Sequence, residues 1–155
     1  MGHVESVLQT LELQLPKAAS RKGLVPVRRD GHLAYVSGQG PTVEGKPRFQ
    51  GRVGGEVSLE DGYKAAQLCA LNALSALREA LGGDLDRVTG VVKVLGLVAS
   101  AADFYRQPEV VDGFSDLMVS LWGEAGRHAR SAVGVAALPG NIPVEVEMIV
   151  TVRDG

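Results

Sequence analysis

Arg130-Ser131-Ala132-Val133-Gly134-Val135-Ala136-Ala137-Leu138-Pro139-Gly140-Asn141-Ile142-Pro143-Val144-Glu145-Val146-Glu147-Met148-Ile149-Val150-Thr151-Val152 is the stretch that decides the fold. It reads as two strands, 131–138 and 144–152, joined at Pro139-Gly140-Asn141 as a hairpin. Side chains alternate across a strand. Val144, Val146, Met148, Val150 and Val152 therefore share one face, and Glu145, Glu147, Ile149 and Thr151 share the other. In the preceding strand Ser131, Val133 and Val135 alternate with Arg130, Ala132, Gly134 and Ala136. If both valine faces meet helices, the opposite face carries Arg130, Glu145 and Glu147 among small residues. Matching the valine faces sets Glu147 opposite Ala132 or Gly134, with Arg130 roughly 7–13 Å away at about 3.3 Å per residue. A small acid fits in that space, and arginine is the side chain suited to gripping a carboxylate with two parallel hydrogen bonds. Period alone leaves the face open between such a site and a solvated, salt-bridged surface.

Upstream, the pattern changes to helix and strand in turn. Pro108 leads into a helix over 109–122 that Gly123 closes. Val88 to Ala99 is apolar and β-branched, which predicts a strand buried on both faces. A long helix begins at Ser58 with Asp61 as a weak capping box and ends at Gly82-Gly83. Its inner face holds Tyr63, Ala66, Ala70, Ala73, Leu74, Leu77 and Leu81, and Cys69 reads as a small buried hydrophobe. Gly38 to Gly55 is rich in glycine and proline and reads as an exposed loop without a phosphate-cradling motif. Two apolar runs, 24–27 and 33–36, flank Arg28-Arg29-Asp30-Gly31, a hairpin signal. Val4, Val7, Leu8, Leu11 and Leu15 mark a helical extension over residues 1–16 that Pro16 stops. The whole predicts one α+β domain spanning 1–155, with a mixed sheet and its two main helices on one face.

Composition narrows the function. The 155 residues match one domain of about 150 residues. With 45% hydrophobic and 22% charged residues, the chain has the makings of a folded core. The longest uncharged apolar stretch, 94–102, is too short to span a membrane, and no leader-like order opens the sequence. A net charge of −2 gives no general pull toward nucleic acid or anionic lipid. The single cysteine, Cys69, excludes an internal disulfide and fits a reducing cytoplasm.

Ser37-Gly38-Gln39, Arg130-Ser131, Leu138-Pro139 and Val144-Glu145-Val146-Glu147, in this order and spacing, resemble the Rid family of reactive intermediate deaminases, also called YjgF-like proteins. The likeness runs from about 24 to 152. It implies a chorismate mutase-like fold assembled as a homotrimer, with a site for a small carboxylate-bearing metabolite at each subunit interface. It implies hydrolysis of 2-aminoacrylate-like enamines and imines to 2-keto acids and ammonia, with no cofactor and no metal. By position, Arg130 would hold the substrate carboxylate, Glu147 would position or activate water, and Ser37 would line the pocket. Three positions depart from the family pattern. Leu24-Val25 replace a tyrosine, Ala132 replaces a cysteine, and Asp112 replaces the pocket asparagine.

Other chemistry is weakly signalled. His3, His32 and His128 are too far apart in sequence for metal-ligand spacing on one element. His128, two residues before Arg130, is a candidate acid or base. Arg28, Arg29, Arg127 and Arg130 are candidates for a basic RNA-cleaving patch, against which stand an acidic net charge and only 5% aromatics. A non-catalytic trimer that senses small acids through Arg130 is the remaining alternative.

Overall fold

The computed structural model describes all of residues 1–155. In chain order it forms α1 (His3–Thr10), β1 (Val27–Asp30), β2 (Leu33–Gln39), β3 (Thr42–Val43), β4 (Lys46–Pro47), α2 (Leu59–Ala80), β5 (Val88–Ala99), α3 (Gln107–Trp122), β6 (Ala129–Val135) and β7 (Val144–Val152). Five strands make the main sheet in the order β1-β2-β7-β5-β6, and β3 and β4 form a separate small hairpin within the glycine-rich loop. Every pairing in the main sheet is antiparallel except β5 with β6. The sheet is mixed, as the sequence predicts.

α2 packs over β2 and β7, and α3 over β5 and β6. Between them lies the core, with Leu74, Leu77, Phe114, Met118 and Met148 fully buried against the valines of β7. The capping predicted for α2 is present: Ser58 Oγ accepts from the Asp61 amide, and Gly82 and Gly83 take positive φ beyond the last turn. Small residues set how closely the layers approach. A Cβ on Gly113 would lie 2.0 Å from the Tyr63 carbonyl oxygen, and one on Gly96 would lie 2.5 Å from the Val111 side chain. Backbones meet where side chains are absent.

Several expectations are corrected. β6 and β7 are not a hairpin, because β5 lies between them and pairs with both. The β5–α3–β6 crossover makes β6 parallel to β5, and residues 136–143 carry the chain past β5 to β7. The turn chemistry of Pro139-Gly140-Asn141 is real, with Gly140 and Asn141 at positive φ, but it bends a longer connection. The face assignment of β6 is reversed too. Arg130, Ala132 and Gly134 pair with Val94, Gly96 and Val98, so they look toward α3, whereas Ser131 and Val133 pair with Leu95 and Leu97 on the open face. The β7 assignment stands, since Val144, Val146, Met148, Val150 and Val152 are all buried.

β5 is covered on one face only. Its other face shows half-exposed Leu95 and Leu97 beside Val92 at 43% exposure. Helix α1 is shorter than the predicted extension over 1–16. It ends at Thr10, with Glu12 in the left-handed region, and Leu13 and Leu15 pack on the core without helical geometry. The first hairpin turns at Gly31-His32, so Arg28 and Arg29 lie within β1, and Leu24 and Val25 precede it as exposed residues.

Candidate functional site

α3 and β6 place four polar side chains together. Asp112 and Ser115 are three residues apart on α3, which sets them on one helical face. That face meets Arg130 on β6. Arg130 donates from Nη1 to Asp112 Oδ1 at 2.8 Å and to Ser115 Oγ at 3.1 Å, and from Nη2 to the Pro108 carbonyl at 3.3 Å. His128 lies 2.8 Å from Ser115 Oγ through Nε2 and 2.8 Å from the Gly126 carbonyl through Nδ1. A carbonyl only accepts, so Nδ1 carries the proton, and the Ser115 hydroxyl donates to Nε2 of a neutral ring. Burial, opposed by the Gly126 hydrogen bond and aided by the Arg130 charge, holds His128 below its usual 6.5. This favours the same neutral ring.

The cluster opens onto a cleft of ≈ 410 Å³ lined by Asp112, Ser115, Val119, Arg127, His128 and Arg130. The Arg130 side chain is 20% exposed and that of Asp112 is 45% exposed. Within the chain Arg130 Nε–H and one Nη2–H have no protein partner. The guanidinium is thus fixed by α3 while keeping two donors for another molecule. A larger concavity of ≈ 540 Å³, between residues 15–18 and the end of α2, has no comparable convergence. There Ser75 Oγ donates to the Pro16 carbonyl and Arg78 is paired with Glu5.

The structure divides the residues expected from sequence. Arg130, Asp112 and half-buried Ala132 lie on the α3 side of the sheet, near its β6 edge. Glu147 pairs with Leu95, which also pairs with Ser131, so Glu147 looks out from the open face. The expected approach of Arg130 to Glu147 across one face does not occur within a chain. Ser37 lies on β2, at the other side of β7, and its hydroxyl donates to the Pro26 carbonyl at 3.2 Å. Beside it is a carboxylate the sequence reading did not single out as the acting one. Glu145 is half-buried, and its Oε2 would lie 2.6 Å from a Cβ on Gly38. Ser115 was also missed, although its spacing from Asp112 on the predicted helix was the available signal.

The four arginines do not gather. Arg28 and Arg29 are on β1 and Arg130 is on β6, at opposite edges of the sheet. Arg29 pairs with Asp154 and Arg127 with Glu124. Cys69 is fully buried in α2 and its thiol is pushed well up by burial, as expected for a packing residue. No three His, Cys, Asp or Glu side chains converge as metal ligands. No helix is long and apolar enough to cross a membrane.

An open mixed sheet with two helices on one face and an anchored arginine at its edge defines a chorismate mutase-like α+β protein. The family described as "YjgF/chorismate mutase-like, putative endoribonuclease" matches residues 5–150. The chain is 41% identical to Protein TCP17 of Trypanosoma cruzi over 155 residues, covering 99% of this chain and 96% of that protein. It superposes on Atu1372 of Agrobacterium tumefaciens, a protein of unknown function, with TM-score 0.91 and 43% identity, covering 97% and 93% of the two chains. An endoribonuclease of Shewanella oneidensis, so described putatively, gives TM-score 0.91 at 32% identity over 96% and 99%. The chain belongs to the YjgF-like Rid family.

Proposed function

We propose that this chain hydrolyses reactive enamines and imines of the 2-aminoacrylate class to 2-keto acids and ammonia, in the cytoplasm, as a homotrimer with a site at each subunit interface. The observation that carries this reading is the Arg130 guanidinium, held by Asp112, Ser115 and the Pro108 carbonyl with Nε–H and one Nη2–H unspent. Those two donors suit a small carboxylate. Family membership supports the same chemistry. An imine carbon is already electrophilic, so fixing the substrate and orienting one water supplies much of the rate.

The water-orienting glutamate belongs to the open face of the sheet, so a neighbouring subunit supplies it. The sequence reading chose Glu147. Between the two, Glu145 is the better placed, because it is half-buried beside Ser37-Gly38 while Glu147 is exposed. Ser37 then lines the pocket from the same neighbour, and Ala132 leaves space next to Arg130.

The test is hydrolysis of 2-iminopropionate, generated in situ by an amino acid oxidase. Wild type accelerates it, and Arg130→Ala loses about a hundredfold of the acceleration, as expected when a buried charge partner is removed. Glu145→Gln abolishes turnover and Glu147→Gln retains it. Binding of pyruvate without any turnover would replace this reading with a ligand-sensing trimer.

The family description favours a second reading, RNA cleavage. It requires a basic surface, and the arginines that would form one are split between opposite sheet edges. Degradation of RNA by rigorously purified protein, with steep salt dependence, would establish it.

A further inference from the structure

Arg130 does not meet a ligand as a bare cation. Asp112 Oδ1 lies 2.8 Å from its Nη1, so the pocket offers a positive and a negative group side by side. Asp112 Oδ2 makes no hydrogen bond within the chain and is available as an acceptor. The Asp112 side chain, 45% exposed, reaches the cleft rather than the core.

We propose that Asp112 is a specificity-determining residue that makes this pocket complementary to a zwitterion, with Arg130 taking the carboxylate and Asp112 taking a protonated iminium nitrogen on the adjacent carbon. The inference rests on the deaminase reading and adds the charge state of the substrate. In a 2-imino acid the nitrogen and the nearer carboxylate oxygen are about 2.7 Å apart by standard bond geometry. The ion pair holds the two protein charges side by side, so one small zwitterion can reach the free Arg130 donors and Asp112 Oδ2 together. A 2-aminoacrylate enamine gains a proton at C3 to give the same iminium. Water adds at C2, the C2–N bond breaks, and both water protons end on nitrogen: R₂C=NH₂⁺ + H₂O gives R₂C=O + NH₄⁺. The iminium is the more electrophilic form, so holding it also favours attack. The product keeps its carboxylate but loses its cation, leaving Asp112 opposite a neutral ketone beside an anion. Product is thereby bound more weakly than substrate.

Alanine and pyruvate share one three-carbon skeleton and differ in this charge, so calorimetric titration of both reads the pocket directly. Wild type binds alanine about two- to fivefold more tightly than pyruvate, the scale of a partly exposed ion pair. Asp112→Asn reverses the order, with circular dichroism verifying its fold, and Asp112→Ser does the same. Equal or tighter pyruvate binding by wild type overturns the proposal, as does an unchanged ratio in both variants or no binding of either compound. The wild-type comparison needs no variant to fold. If alanine is preferred but 2-iminopropionate is not hydrolysed, the zwitterion pocket stands and the deaminase reading falls. If hydrolysis occurs without the preference, the role of Asp112 falls alone.

Discussion

At Gly113 the absence of one methyl group lets α2 and α3 touch. A Cβ there would press to 2.0 Å from the Tyr63 carbonyl oxygen, a backbone atom with no rotamer to yield. Gly113→Ala is expected to cost at least about 1–3 kcal/mol by overpacking, read from the urea midpoint. It also displaces Asp112, its neighbour, and so should weaken substrate binding. His128 makes a prediction of opposite character. Its folded pKa lies below 6.5, so the unfolded chain binds the proton more readily. Stability is therefore full above about 6.5 and falls as the pH drops through the folded pKa. Tm measured between pH 7.5 and 5 should decline less in His128→Gln than in wild type. Sequence marked His128 as a candidate acid or base near the pocket. The Ser115 link that brings it there was hidden, because Ser115 is an ordinary residue until α3 is laid on β6.

Helix α1 shows what an element needs from elsewhere in the chain. Its own N-cap, Gly2, has no capping side chain, and Asp86 supplies one from a distance by accepting from the amides of His3 at 2.6 Å and Val4 at 2.9 Å. These hydrogen bonds hold the Asp86 carboxyl below its ordinary value of 3.8. The stabilisation is thus complete above the unfolded value and is lost as pH falls through the folded one. Asp86→Ala should cost about 1 kcal/mol, the usual value of a cap, and hydrogen exchange should quicken in α1 while that of α2 is unchanged. The longer helices were legible because their periodicity and caps are local: Ser58 and Gly82-Gly83 bracket α2, and Pro108 and Gly123 bracket α3. α1 was drawn too long because Leu11 and Leu15 keep an apolar rhythm after the helix has ended. For β6 the valines misled. Small residues, Ala132 and Gly134, follow Arg130 on the face toward α3, where a Cβ on Gly134 would already lie 2.9 Å from Nε2 of Gln107, the first residue of that helix. The larger Val133 is sent to the open face instead.

The whole molecule presents one sheet face covered by helices and one uncovered. Tyr35 at 42% and Val133 at 44% exposure stand on the uncovered face with Leu95, Leu97 and Ile149. An apolar face of this kind marks an interaction surface, and the proposed trimer covers it with further copies. Light scattering should give about three times 16.3 kDa for wild type, and Val133→Lys should shift the population toward monomer. The alternation of β7 made this two-faced sheet readable from sequence. Its strand order was not, because turn residues at 139–141 speak for a local reversal and are silent about a strand inserted between. The same order divides the expected site, placing Arg130 and the glutamates on opposite faces of the sheet. It also governs how the chain acquires its shape. Without β7 the sheet is two separate ribbons, β1-β2 and β5-β6, each too small to be stable alone. β7 is synthesised after all of its partners and pairs with residues as distant as Leu33. Closure of the sheet must therefore wait for translation to pass Val152, and the high sequence separation of these pairings makes folding slow for a chain of this size. Until that moment the open face and the core face of the sheet are equally exposed, which makes the nascent chain, rather than the native protein, the species most exposed to aggregation.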